Sequence, residues 1–510
     1  PTGIEQVDYR IQRQVYHGSL WMKGFLPAGI RVELMDGDHI VGESRLDPPG
    51  AAWAEYPFRI QANGDTNEGS LRISLLGEGS VTLDQVSLMG DEAKATGGFR
   101  PDLLEAVREL RPPIIRWPGG CFASVYLWKD AVGPQHERRI YPAYMWEDQD
   151  INSFGTDEFI AMCRKVGAEP IIVVNIGTAN WNPDDQDHDF LQEALDWIEY
   201  CNGPAESEWG KRRAANGHAE PYGVKYWEID NETWHMGAEA YAAAVNRFGP
   251  AMRKADPTIK LIACGSGGYS QPWNRTVINA AGKNFDYIST HHYESPQKYA
   301  TGPARDEQFY RELKRIIDDG PNPDMKVYCS EWNAQSTDWR TGLYCGGILN
   351  VFERCGQFFE IGGPALFLRH VSASAWDNAF INFDHRNWFP APNYVVMKLW
   401  RDHYAPHRIA ISGETGGLNV VATRAADAKT VYLKVVNPSL DAAVVEIEVD
   451  GAEINTASLK LVAPGTLAAR NTIEYSSVVR VEKGDVELVD GKGRVRLPPM
   501  SCGVVSMTRR

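Results

Sequence analysis

From Gln6 to about Met89, apolar and polar residues alternate in short runs broken by turn signals, as in Ile30-Arg-Val-Glu-Leu34, Trp53 to Ile60, Leu71 to Leu75 and Val81 to Leu88. A period of two predicts strands, and no helix-period segment of useful length interrupts them. Residues 1–95 therefore read as an all-β sandwich of jelly-roll type. After Gly97 the period changes. Pro101-Asp-Leu-Leu-Glu-Ala-Val-Arg-Glu-Leu110 carries its apolar residues at helical spacing, and a strand follows at once in Pro113-Ile-Ile-Arg116.

Six more strand-like runs come after it, at 170–174, 224–227, 259–263, 285–289, 325–328 and 365–368. Helical segments stand between them at 156–166, 190–200, 238–254, 305–318 and 342–355. Strands alternating with helices imply a parallel sheet, and the repeated unit predicts a (β/α)8 barrel over residues 96–405. Seven strands are visible where a closed barrel needs eight. The first strand is therefore expected upstream of Pro1, from an upstream segment or a partner fragment, because an unpaired barrel edge is exposed. From about Ile409 helices stop, and runs at 418–423, 430–436, 443–449, 476–481 and 493–497 predict a C-terminal β-sandwich over residues 406–510.

Composition narrows the function. The chain has 510 residues, 43% apolar and 23% charged, an ordinary balance for several packed domains. A net charge of −15 excludes a nucleic acid or an anionic membrane surface as partner, since both demand clustered Lys and Arg. A neutral ligand suits it better, and 16 Trp residues offer flat faces for sugars as well as core material. No run of about 18 apolar residues predicts a membrane helix. The eight Cys show no zinc or disulfide-scaffold spacing and read as reduced thiols, a lean towards the cytoplasm in a chain that opens without Met or a signal-like run.

In a parallel barrel, reactive groups come from the C-terminal ends of strands. Two such ends are unusually polar: Trp227-Glu-Ile-Asp-Asn-Glu232 and Ser330-Glu-Trp-Asn333. Glycoside hydrolysis needs two carboxyl groups about one bond, one protonated and one ionised, and Glu232 and Glu331 fit. Asn231, directly before the first, is placed to donate to a sugar hydroxyl. The alternative is that each Glu merely caps a helix. His291, His292 and Asp377 invite a metal-ligand reading, but no recognised two-His-one-carboxylate spacing appears, so neither metal nor cofactor is expected. A non-catalytic sugar-binding protein is the other competing class. Asn231-Glu-Thr233 and Asn274-Arg-Thr276 spell glycosylation acceptors, the first of which would block the proposed site.

These motifs resemble glycoside hydrolase family 51, mainly α-L-arabinofuranosidases with some endo-β-1,4-glucanases and xylanases. The likeness runs through Arg116-Trp-Pro-Gly-Gly-Cys121, Trp128-Lys-Asp-Ala-Val-Gly-Pro134, Phe154-Gly-Thr-Asp-Glu-Phe159, Glu169-Pro-Ile-Ile-Val-Val-Asn175, Glu220-Pro-Tyr-Gly-Val-Lys225, the two Glu motifs and Phe389-Pro-Ala-Pro-Asn-Tyr394. It implies Glu232 as acid/base, Glu331 as nucleophile, Tyr293 of His291-His-Tyr293 orienting the nucleophile, and Arg116 holding it ionised. It also implies removal of arabinofuranose from arabinoxylan or arabinan, with endo-glucanase or xylanase action as the alternative. Cys121 departs from the Asn that arabinofuranosidases carry there, and an acidic residue of the same subsite belongs to the expected upstream strand.

Asn175 closes one of these motifs at a strand end and is counted with the substrate-binding set. Trp128, Trp146, Trp181, Trp234, Trp332, Trp376 and Trp388 fall in or near strand-end loops, where several would form stacking platforms for an oligo- or polysaccharide. The N-terminal sandwich resembles a carbohydrate-binding module found in some members, with sugar binding or a structural role both open. If the two Glu face each other across the barrel mouth, their carboxyl groups should stand roughly 5 Å apart, the separation of a retaining mechanism.

Overall fold

The computed structural model describes residues 2–143, 146, 148–178, 188–374 and 376–509. By contact the chain divides into two units, Pro1–Ala106 with Phe383–Trp388, and Val107–Asn382 with Phe389–Arg510. In the first, Thr2–Ile11, Thr66–Leu75, Ile30–Asp36 and His39–Leu46 form a four-stranded sheet in that order. Ala54–Gln61, Val15–Phe25 and Ser80–Gly90 form a second sheet of three. Alternation puts Leu20, Met22, Val32, Leu34, Ile60 and Ile73 inward as the common core. Burying each such side chain contributes about 1.5–3 kcal/mol.

The second unit begins with the barrel. Seven strands pair in parallel and in chain order: Ile114–Trp117, Glu169–Val174, Tyr226–Ile229, Lys260–Gly267, Tyr287–Glu294, Lys326–Ala334 and Phe359–Gly362. They read as nearly continuous apolar runs because both faces are covered. Ile171, Ile262, Tyr287 and Tyr328, with Ile114, Tyr226 and Ile361 against them, fill the interior below the site. The outer helices start and stop on local signals. Thr156–Val166 opens with Glu158 accepting from the Gly155 amide and closes on Gly167 at φ 77°, a left-handed position that favours glycine.

The seventh strand is displaced from the sequence expectation. Phe359–Gly362 completes the sheet, following helix Trp339–Arg354 after a short turn, whereas Leu368–His370 joins a separate three-stranded sheet. Ile114–Trp117 and Phe359–Gly362 are the two edges of the seven-stranded sheet.

The C-terminal sandwich packs against helix Trp339–Arg354, where Lys434 pairs with Glu353. Its sheets hold six and three strands. Residues 476–481, expected as a strand, form turns instead. The Asn471 side chain holds Val479 there, donating to its carbonyl at 3.0 Å and accepting from its amide at 2.7 Å. All eight Cys are free thiols, and Cys121 alone among them is not fully buried. No helix among the described residues is long and apolar enough to cross a membrane.

Candidate active site

The first barrel strand brings Arg116 to the mouth, where its side chain is 8% exposed. A buried guanidinium must spend its donors, and this one spends them on three residues. Nε donates to Glu228 Oε2 at 2.5 Å, Nη1 to Glu331 Oε1 at 3.0 Å and Nη2 to Asn231 Oδ1 at 2.6 Å. The turn after the strand passes close to Glu331. A Cβ on Gly120, which sits at φ 52°, would stand 3.7 Å from Glu331 Oε1.

The third strand ends in Asp230-Asn231-Glu232, with Asp230 at φ 59° and Glu232 at φ 47°. Left-handed backbone at non-glycine residues is strained, and it persists where surroundings over-determine it. Here Asp230 is the anchor. Its carboxylate accepts from Ser124 Oγ (2.5 Å), the Ile176 amide (3.2 Å), Thr178 Oγ1 (3.1 Å) and the Asn231 amide (2.7 Å). The same total burial that demands these partners pushes its pKa up. The kink throws Glu232 into the mouth. Glu232 precedes the short helix Thr233–Met236 but makes no side-chain cap to it.

Glu232 is held from both sides. Cys121 Sγ donates to Oε2 at 3.4 Å, and His291 Nδ1 lies 2.6 Å from Oε1. His291 Nε2 lies 2.9 Å from Ser330 Oγ, so the ring is fixed at both nitrogens. Burial works against charge on His291, but the Glu331 carboxylate and the bond to Glu232 outweigh it and raise its pKa. Burial, with Glu232 beside it, pushes the Cys121 thiol up to about 12, so it stands as a neutral donor.

Glu331 lies within the sixth strand, 9% exposed. Burial would raise its pKa, yet the charges of His291 and Arg116 and the Tyr293 hydroxyl, which donates to Oε2 at 2.5 Å, bring it below the ordinary carboxylate range. Glu331 is thus held ionised. One donor atom each of Glu232, His291 and Glu331 falls within 4.8 Å of the other two. Arg116, Gly120, Cys121, Glu232, Tyr293 and Glu331 open on a cavity of about 850 Å³.

Two carboxyl groups so close, one ionised against an arginine and one bonded to a histidine, can perform acid-assisted displacement at a single carbon. Residues 106–312 match the family described as the alpha-L-arabinofuranosidase 1 domain. A probable alpha-L-arabinofuranosidase C from Aspergillus flavus is 34% identical over 81% of this chain and 89% of its own. The chain belongs to glycoside hydrolase family 51. A family 51 alpha-L-arabinofuranosidase from Thermotoga petrophila matches 80% of this chain and 90% of its own at TM-score 0.70, with 29% identity. An arabinose-bound alpha-L-arabinofuranosidase structure, 18% identical, shares the fold over 99% of this chain and 84% of its own at TM-score 0.85.

In this family 51 chain, Arg116, Cys121, Asn231, Glu232, His291, Tyr293 and Glu331 converge on one mouth. The Trp residues divide. Trp146 and Trp376 line the cavity, and Trp376 meets Tyr293 edge to face at 5.4 Å. Trp234 sets its ring edge against His291 at 6.0 Å. Trp128 and Trp332 are corrections. Trp128 is 1% exposed, stacked on Trp197 at 5.6 Å with its Nε1 donating to the Glu193 carbonyl. Trp332 is fully buried between Phe352 and Phe380, because strand alternation that aims Glu331 at the site aims its neighbour outward into the helices.

Trp388 starts a short strand in the unit of the N-terminal sandwich, and Trp181 lies outside the described residues. Asn175 ends the second strand buried, its Oδ1 accepting from the Gly177 amide and its Nδ2 without a partner among the described residues. His292 faces away from His291 into an aromatic nest, and burial drives its pKa down to about 3, while Asp377 is exposed. Asn274 is wholly buried and bonded to Ser266, which leaves that acceptor motif inaccessible.

Sequence reasoning missed Glu228, Asp230, Ser124 and Ser330. Glu228 carried a readable signal. It shares a strand face with Tyr226, which points into the barrel, and a carboxylate there requires a cation such as the one that Arg116, two places on from Ile114, provides.

Proposed function

We propose that this family 51 enzyme is a retaining α-L-arabinofuranosidase that removes arabinofuranose from arabinoxylan or arabinan, with Glu331 as nucleophile and Glu232 as acid/base. The observation that carries the reading is the pair of carboxyl groups within 4.8 Å, the nucleophile held ionised by Arg116, His291 and Tyr293. A gap that narrow leaves no space for water between Glu331 and the sugar, unlike the roughly 6.5–9.5 Å of inverting enzymes.

Glu331 Oε attacks the anomeric carbon while Glu232 gives its proton to the departing glycosidic oxygen. The C–O bond to the leaving group breaks as the ester to Glu331 forms. Glu232, now a carboxylate, takes a proton from a water that attacks the same carbon; the ester C–O bond breaks and its electron pair returns to Glu331 as the free carboxylate. His291 keeps Glu232 aimed in both halves, and Arg116 and Tyr293 receive the charge that returns to Glu331. Within this reading, residues 1–95 are the carbohydrate-binding-module-like sandwich, 96–405 the catalytic barrel and 406–510 the C-terminal sandwich.

The relatives' names support arabinofuranose as the glycone. Trp146 and Trp376, 48% and 40% exposed at the cavity, support stacking of further sugar units of a polymer. Assaying an aryl α-L-arabinofuranoside and arabinoxylan beside carboxymethyl-cellulose tests it. Turnover of the first two with free arabinose as product is expected. Cleavage of the cellulose derivative alone would replace the reading with endo-glucanase action.

A further inference from the structure

Glu228 takes no part in the double displacement, yet it lies wholly buried on the third strand and shares Arg116 with the nucleophile on the sixth. Its Oε2 accepts from Arg116 Nε at 2.5 Å, closer than the 3.0 Å between Arg116 and Glu331, and its Oε1 has no hydrogen-bond partner among the described residues. The charge of this carboxylate is therefore directed at Arg116. One guanidinium is shared between two buried carboxylates, and in a poorly screened interior each partner reduces what the other receives.

We propose that Glu228 is a positioning residue that tempers Arg116: it fixes the guanidinium plane and cancels part of its charge, so that Glu331 stays ionised but remains basic enough to attack. The groups facing Glu331 bear on the same balance. They are Arg116 on the first strand, Glu228 and Glu232 on the third, His291 and Tyr293 on the fifth, Tyr328 on its own strand and Cys121 in the turn. Without Glu228 the undivided positive charge would fall on Glu331. Its electron pair would be bound too tightly for attack, although it would leave more readily in the second step. A purely structural role would be to neutralise a buried arginine and nothing more.

The inference rests on Glu331 being the nucleophile, and the pH profile separates the roles. Glu228→Gln keeps the side chain's size and an oxygen for Arg116 Nε while removing the charge. The acid limb of kcat/KM, which reports ionisation of Glu331 in the free enzyme, should move down by about one pH unit. The plateau of kcat/KM should fall about tenfold, as glycosylation slows. Glu228→Asp keeps the charge and should return the limb to the wild-type position. A Glu228→Gln limb that stays in place, whatever the loss of rate, would overturn the proposal, as would equal shifts in both variants. Should the Gln variant not fold, the Asp variant decides alone: a limb coinciding with wild type supports the proposal and a moved limb refutes it. An active Glu331→Gln variant would instead remove the nucleophile assignment, so the two failures are distinguishable.

Discussion

The Tyr293 hydroxyl donates to Glu331 Oε2 at 2.5 Å, while Arg116 Nη1 holds the other oxygen, Oε1, at 3.0 Å. Each oxygen of Glu331 thus has its own donor, one from the neighbouring fifth strand and one from the first. Both donors favour the ionised form, and together with His291 they outweigh burial.

Removing one of them has a direction. Tyr293→Phe deletes a contact that lowers the Glu331 pKa, so the acid limb of kcat/KM should move to higher pH, opposite to the shift expected for Glu228→Gln. Loss of one hydrogen bond to a charged group costs about 1.5–3 kcal/mol, or roughly ten- to a hundredfold in kcat/KM. A limb that moves down, or does not move, would contradict the electrostatic account.

Losing Glu232 should depend on the leaving group. Glu232→Gln should slow arabinoxylan hydrolysis about 10²–10⁴-fold, because a sugar alkoxide cannot depart unprotonated. A nitrophenyl arabinofuranoside, whose leaving group needs no proton, should lose far less in its first step. Equal losses on both substrates would count against Glu232 as the acid.

The two kinds of Trp should separate in one experiment. Trp376→Ala, at the cavity, should weaken turnover of arabinoxylan more than that of the aryl glycoside, with little change in melting temperature. Trp128→Ala should cost about 3–5 kcal/mol of stability, because it empties an aromatic cluster with Trp197, Tyr200 and Trp209. A stable Trp128→Ala protein impaired only on polymer would restore Trp128 to the substrate-binding set.

Much of this site was legible in the sequence, and the exceptions have physical causes. Glu232 and Glu331 were readable because strand-end polarity in a run of buried strands has few explanations. The alternation at Glu331-Trp332 is equally readable: neighbours on a strand face opposite ways, so only one of the two can reach the site. Trp128 failed for another reason, since its place in a strand-end loop says nothing about the helix that folds over it. Asp230 needed backbone geometry, because its φ is left-handed and three of its four donors come from segments far away in sequence. The seventh barrel strand was misplaced because Phe359–Gly362 and 365–368 are both short apolar runs after one helix, and only pairing with Lys326–Ala334 selects the first.

The covalent step itself can be observed. Glu331→Gly should be inactive in buffer and regain turnover of an activated aryl arabinofuranoside when azide is added, because the small anion enters the space of the missing carboxylate and attacks the same carbon. The account predicts an arabinofuranosyl azide of inverted anomeric configuration, identified by proton NMR, whereas the wild-type enzyme releases arabinose whose first-formed anomer keeps the substrate's configuration. An undiminished Glu331→Gln variant, or an inverted first product from the wild type, would contradict it.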